Sequence, residues 1–168
     1  RLTMLFYEYL PKSITYKINP VSLEYAALMH DVGKLGVPEA ILNKPAKLDP
    51  DEWIVMKQHP KVGVKILEPL QTFAHIKNWI LYHHGRIDGH GYYDQPGDQI
   101  PLPARIISIA DTYSAITMRR SYKAPKTHED AIQIIKDVAG TQLDAELVKY
   151  FLTIPREKLI KCIPERSE

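Results

Sequence analysis

An all-α fold, a single-domain helical bundle, is what this chain predicts, and three observations predict it. Segment after segment repeats its apolar residues at intervals of three and four. Several of these segments open on a capping signal, an Asn, Asp or Thr followed by Pro or an acidic residue. No segment carries the strict alternation of a strand. The 168 residues suit one domain, and 45% hydrophobic with 25% charged residues gives a core and a covered surface rather than disorder.

The elements follow in order. Residues 2–10 read as the end of a helix that Pro11 breaks. Asn19 and Pro20 give a cap and a first helical position for a helix through Leu23, Ala26, Ala27, Met29 and His30 to about Val32, with Gly33 and Gly36 helping to end it. Residues 37–47, with Pro38 and Pro45, form a short helix or turn. Asp49, Pro50 and Glu52 spell a capping box for a helix through Trp53, Val55 and Met56 that ends at His59 before Pro60. Another helix begins near Val62 and stops at Pro69. Residues 73–84 read as helical, with Ile76, Trp79, Ile80 and His83 on neighbouring faces. Residues 85–103 are rich in Gly and Pro and make a long loop, the kind that tends to carry function. A buried helix follows over 104–118, marked by Ile106, Ile107, Ile109, Ala110 and Tyr113. Thr127 and Asp130 open the next, through Ile132, Ile134, Ile135 and Val138. Asp144 caps a helix over 147–152, and Pro155 starts a final turn.

The 22 basic residues nearly balance 20 acidic ones, so the net charge of +2 gives no argument for a nucleic-acid polymer or a membrane surface as partner. A small anionic substrate needs only a few well-placed cations. Cys162 is the single cysteine, which excludes an internal disulfide and cysteine-rich zinc sites and fits a reducing cytoplasm. No apolar run approaches the roughly 20 residues that span a bilayer. The chain opens on Arg1 inside an apolar segment, so the expectation is a piece of a longer protein. Any regulatory, sensory or membrane-tethering part would lie upstream.

Chemistry concentrates in the histidines and two aspartates. His30-Asp31 falls near a helix end, His59 at another, His83-His84 at a third, and Asp111 interrupts the apolar face of a fourth helix. Imidazoles and carboxylates among Leu, Ile and Ala need partners. A shared cation cluster satisfies all of them at once. Imidazole and carboxylate donors without thiolate suit iron, manganese or zinc better than calcium, and Asp31 is the candidate to bridge two ions. Each member also has a plainer reading. His59 suits a helix end through the macrodipole. His83-His84 fits one buried and one exposed ring, and Asp111 fits an ion pair with Arg105 or Arg119. His75, His90 and His128 read as ordinary surface or loop residues.

His30-Asp31-Val32-Gly33-Lys34 resembles the HD-x-G-K signature of the HD superfamily of phosphohydrolases. The run His83-His84-Gly85-Arg86-Ile87-Asp88-Gly89-His90-Gly91-Tyr92-Tyr93 resembles the HHExxDGxGYP loop of its HD-GYP branch. Lys34-Leu35-Gly36-Val37-Pro38, Leu42-Asn43-Lys44-Pro45, His59-Pro60, the string from Ile100 to Ile106 and Ala110-Asp111 extend the likeness from about Ala26 to Leu152. The resemblance implies a helical fold around two or three divalent transition metals, usually iron or manganese. It implies hydrolysis of a cyclic dinucleotide, above all cyclic di-GMP, by a metal-bridging hydroxide within a bacterial signalling protein. Residue by residue, His30, Asp31, His59, His83, His84 and Asp111 fall on metal ligands. Lys34 falls on a lysine that meets the scissile phosphate, and Arg120 and Lys123 fall on cations that meet the substrate. Lys34 also lies one helical turn from His30, where it can neutralise a phosphate or protonate a leaving oxygen; its plainer reading is a solvated lysine near a helix C-terminus. Arg120 and Lys123 equally suit plain surface charges. Asp31 and Lys34 are thus the catalytic candidates.

The chain also departs from the pattern. Tyr93 replaces the proline of GYP, which points to a looser loop or an altered partner surface at Gly91-Tyr92-Tyr93. Gly85 replaces the acidic residue after the paired histidines, and Ser114 stands where a second aspartate is common. The resemblance further implies one His or Glu ligand upstream of Arg1. Glu8 and Glu24 are the only acids in residues 2–29, and Glu8 reads as a surface residue. Two alternatives accompany the phosphodiesterase: an HD phosphohydrolase of another nucleotide, and a degenerate module that binds nucleotide or protein without catalysis. A homodimer completes the partner expectations.

Overall fold

The structure, a computed structural model, describes residues 1–118 and 124–163. Arg119, Arg120 and Lys123 lie outside these residues. The α-helices are α1 (Leu2–Glu8), α2 (Lys12–Thr15), α3 (Pro20–Met29), α4 (Glu39–Leu42), α5 (Pro50–Met56), α6 (His59–Leu67), α7 (Lys77–Leu81), α8 (Leu102–Thr117), α9 (His128–Asp137), α10 (Ala145–Phe151) and α11 (Arg156–Lys161). Tight 3₁₀ turns at Val32–Gly36, Gln71–Ile76 and Gly97–Gln99 join some of them. Among the described residues no strand forms, and the only bridge pairs Ala139 with Leu143. No helix among them is long and apolar enough to cross a membrane.

The cap chemistry works as the sequence predicts. Asn19 accepts from the Ser22 amide with Pro20 in the first turn of α3. Asp49 with Glu52 and Thr127 with Asp130 close capping boxes on α5 and α9, and Asp144 caps α10. Each such cap contributes about 1 kcal/mol.

The long helix α8 is the axis of the bundle. Ile106, Ile107, Ile109 and Tyr113 are buried along it, and α1, α7, α9 and α10 pack around it. Phe6 meets Phe151 edge-on at 5.1 Å, and Tyr113 meets the same ring at 5.6 Å, which locks α1, α8 and α10 together.

Several boundaries differ from expectation, and the differences decide where the chemistry sits. Helix α3 stops at Met29, and the chain tightens into the turn Val32–Gly36. Gly33 is buried there, and a Cβ on it would collide with the His59 carbonyl and the Gly63 amide. That close approach lays the Asp31–Lys34 segment directly on the start of α6. His59 therefore opens α6, with Pro60 in its first turn, and does not end α5. The stretch expected as one helix over 73–84 is a 3₁₀ turn followed by the short α7, so His83 and His84 stand beyond its end.

Candidate metal centre

Three imidazoles share one local arrangement. His30 Nδ1 lies 2.8 Å from the Ala27 carbonyl, His59 Nδ1 2.9 Å from Met56 and His83 Nδ1 2.6 Å from Ile80. In each case the carbonyl belongs to the last turn of the preceding helix, where backbone acceptors lack helical partners. A carbonyl only accepts, so Nδ1 carries the hydrogen and a neutral ring presents its lone pair at Nε2. Helix termination thus sets the tautomer and aims the other nitrogen inward.

Those Nε2 atoms converge. His59 Nε2 is 3.3 Å from His83 Nε2 and 3.3 Å from Asp31 Oδ1. His83 Nε2 is 3.9 Å from the same carboxylate oxygen. His84 joins them, so that one donor atom from each of Asp31, His59, His83 and His84 lies within 4.8 Å of every other. On the far side, His30 Nε2 is 3.6 Å from Asp31 Oδ2 and 3.7 Å from Asp111 Oδ1. Asp31 therefore stands between two groups of donors. All six residues singled out from the sequence meet in one place.

The electrostatics of the cluster favour a cation. Burial, with the neighbouring His84 and His30, holds the His83 imidazole well below its usual value. Burial likewise pulls His84 down to about 4. Burial acts to raise Asp31, but His59, His30 and Lys34 overcome it and leave its carboxyl far below the ordinary range. Asp111, whose burial is similarly outweighed by His30, falls to about 2. Burial lowers the His30 ring too, yet Asp111 and Asp31 reverse that and raise it. Near neutral pH the site combines the carboxylates of Asp31 and Asp111 with the neutral rings of His83 and His84.

Two observations test whether a metal fits. His30 Nε2 and Asp31 Oδ1 are buried without any hydrogen-bond partner, an expensive condition for polar atoms. And the lone pairs of His59 and His83 face one another across a distance at which neutral rings repel. A divalent cation among the six side chains resolves both. The residues fit the group.

Lys34 does not share a helix with His30, since α3 has ended, but the 3₁₀ turn brings Nζ to 2.5 Å from Asp31 Oδ2. Asp111 does not pair with Arg105, which is bound to Asp144 at 2.6 Å, and the other expected alternative, Arg119, lies outside the described residues. Of the other histidines, His75 Nε2 shares a 2.7 Å hydrogen bond with Ser22 Oγ, His128 bonds Tyr113, and His90 is exposed; none joins the cluster. Glu8 is exposed on α1, near Lys158.

The 85–100 loop is tied down rather than loosened. Arg86 grips Asp88 through two hydrogen bonds of 2.9 and 2.5 Å, and the Asp88 amide donates to Thr141. Tyr93, in place of proline, donates its phenol to the Lys57 carbonyl at 2.8 Å and lies beneath Lys61 Nζ at 4.6 Å. Burial pushes that phenol up to about 12. The neighbouring Tyr92 ring then packs on His84 at 4.5 Å and edge-on to His59. Gly85 has no room for the acidic side chain of the usual pattern, since a Cβ there would meet Ile100 Cδ1 at 2.8 Å and the Tyr82 carbonyl at 2.9 Å.

A cleft of about 620 Å³ opens over the cluster, lined by Trp53, Lys57, His84, Arg86, Tyr92 and Asp111 among others. This volume lies within the range of small-molecule sites. Sequence reasoning missed Trp53 and Lys57. Their separation of four, from α5 to its C-cap just before His59, was the available signal.

The HD domain family profile matches residues 15–147, most of the chain and every donor described above. The chain belongs to the HD domain family. Among similar proteins, a cyclic di-GMP phosphodiesterase of Thermotoga maritima is 39% identical over 141 residues, 80% of this chain and 38% of that protein. The cyclic di-GMP phosphodiesterase response regulator RpfG of Xanthomonas campestris is 40% identical over 133 residues, 77% of this chain and 35% of that one. A 3'3'-cGAMP-specific phosphodiesterase 2 of Vibrio cholerae is 38% identical over 133 residues, 77% of this chain and 26% of that one. This HD domain thus spans between a quarter and two fifths of these relatives' lengths. In fold it is similar to an HDG"Y"P protein from Bdellovibrio bacteriovorus, with a TM-score of 0.67 at 18% identity over 89% of this chain and 48% of the other. The HD-GYP resemblance stands with these findings.

Proposed function

We propose that this HD domain is a metal-dependent phosphodiesterase that hydrolyses a cyclic dinucleotide, with cyclic di-GMP as the preferred substrate. The observation that carries the reading is the convergence of three helix-capping imidazoles on Asp31 with their Nε2 lone pairs inward. His30, Asp31, His59, His83, His84 and Asp111 would hold two, or three, divalent ions. The donor set without thiolate favours iron or manganese. When bound, such ions supply Lewis acidity toward a phosphoryl oxygen and a nucleophilic water at neutral pH.

The chain's own residues do the rest. Asp31 holds Lys34 beside the cluster, so that the ammonium offsets phosphate charge where the diester enters. Carbonyl bonds to three Nδ1 atoms fix the rings before substrate arrives. Tyr92 covers one side of His84, and Tyr93 keeps the loop closed on α5. Arg120 and Lys123 are the remaining candidates for substrate cations.

The reading makes the domain the output part of a longer cytoplasmic signalling protein with a regulatory or sensory domain upstream. A homodimer and a protein partner at the Gly91-Tyr92-Tyr93 loop belong to the same proposal. The test assays the metal-loaded protein side by side on cyclic di-GMP, 3'3'-cGAMP and mononucleotides. Hydrolysis led by cyclic di-GMP supports the reading. Preference for 3'3'-cGAMP moves it to the specificity named for the V. cholerae relative. Tight metal with no turnover on any of them favours a binding module.

A further inference from the structure

We propose that Trp53 is a stacking platform for one nucleobase of the substrate and that Lys57, one turn on at the C-cap of α5, takes the adjoining phosphate. The inference rests on the cyclic-dinucleotide reading and adds a subsite to it. The two tryptophans of the chain live in different surroundings. Trp79 packs against the core and meets His75 edge-on at 6.1 Å. Trp53 is 43% exposed, on the wall of the cleft that also holds His84 and Asp111. Its ring has no aromatic or hydrogen-bonding partner among the described residues. An exposed indole at the mouth of a site lined with donor atoms is the apolar surface that a planar ligand covers.

The charges beside it narrow the ligand. Arg86 is occupied by Asp88 through Nε and Nη2 and by Gln142 through Nη1, so it shapes the wall and has little left for a substrate. Lys57 is exposed, and its Nζ lies 5.8 Å from the Tyr92 ring with no carboxylate partner among the described residues. Residues four apart share a helix face, so indole and ammonium point the same way. An aromatic plane with an adjacent cation matches a base joined to a phosphate. Stacking tolerates every base; Trp53 therefore contributes affinity more than choice between guanine and adenine.

The test uses the metal-loaded full chain with cyclic di-GMP. Trp53→Ala raises KM by about tenfold or more, the loss falling on KM rather than kcat, and Trp53→Phe recovers most of it because a π-face remains. Metal content stays at the wild-type level. In stopped-flow mixing ahead of turnover, cyclic di-GMP quenches the tryptophan fluorescence of Trp79→Phe and not that of Trp53→Phe. A KM within twofold of wild type in Trp53→Ala, or a quench that persists in Trp53→Phe, overturns the subsite while leaving the phosphodiesterase intact. A wild-type protein inactive on every cyclic dinucleotide overturns both.

Discussion

A histidine at the end of a helix can serve two purposes with its two nitrogens, and this chain uses that three times. Nδ1 closes the last turn by donating to a carbonyl, so the lone pair of a neutral ring sits at Nε2, on the side of Asp31. Replacing His83 by Ala removes both functions at once. We expect loss of turnover and of at least one bound ion per chain, measured by assay and elemental analysis; full retention of both contradicts the proposed donor set. Tyr93→Phe leaves the Lys57 carbonyl without its donor, and we expect a loss of about 0.5–1.5 kcal/mol in denaturant unfolding. The Arg86–Asp88 pair has its own signature. Its hydrogen bonds hold Asp88 near 2 against an ordinary 3.8. A depressed carboxyl contributes stability above its unfolded value and loses it as pH falls through the folded one. The advantage of wild type over Asp88→Asn in thermal unfolding should therefore be constant above about pH 5, decline progressively below that and be gone by about pH 1. An advantage that persists unchanged at pH 2 contradicts the pairing.

Short elements meeting at close range carry the site, and one glycine makes the central meeting possible. With Gly33 packed against the His59 carbonyl, Gly33→Ala forces the Asp31–Lys34 turn away from α6. We expect at least about 2 kcal/mol of destabilisation and weakened metal binding, read by denaturant titration and ion content. Near-normal values for both would mean that the two segments are not held together as described. The same elements mark where the sequence was readable. The caps at Asn19, Asp49, Thr127 and Asp144 are local chemistry and were legible. So was the apolar pattern of α8. The boundary at His59 was not, because Pro60 fits both the residue after a helix and the first turn of the next one. The 3₁₀ turns before and after the donor residues carry no periodic signal of their own.

Across the whole molecule, α8 anchors Asp111 within the bundle while α3, α6 and α7 bring their ends to it, so the donors are assembled from residues 81 positions apart in the chain, Asp111 against His30. Proximity of the six side chains was legible, since polar groups on otherwise apolar surfaces had to meet something. The tying of the 85–100 loop to α5 was not, because nothing local announces that a phenol at 93 will reach a carbonyl at 57. Metal content under substitution tests this account most directly. Elemental analysis of the full chain, purified after expression with iron or manganese supplied, should find at least two transition-metal ions per molecule. Asp31→Ala should lower that count and abolish cyclic di-GMP hydrolysis together. Hydrolysis that continues in a metal-free preparation, or an Asp31→Ala protein with undiminished metal and turnover, would contradict it.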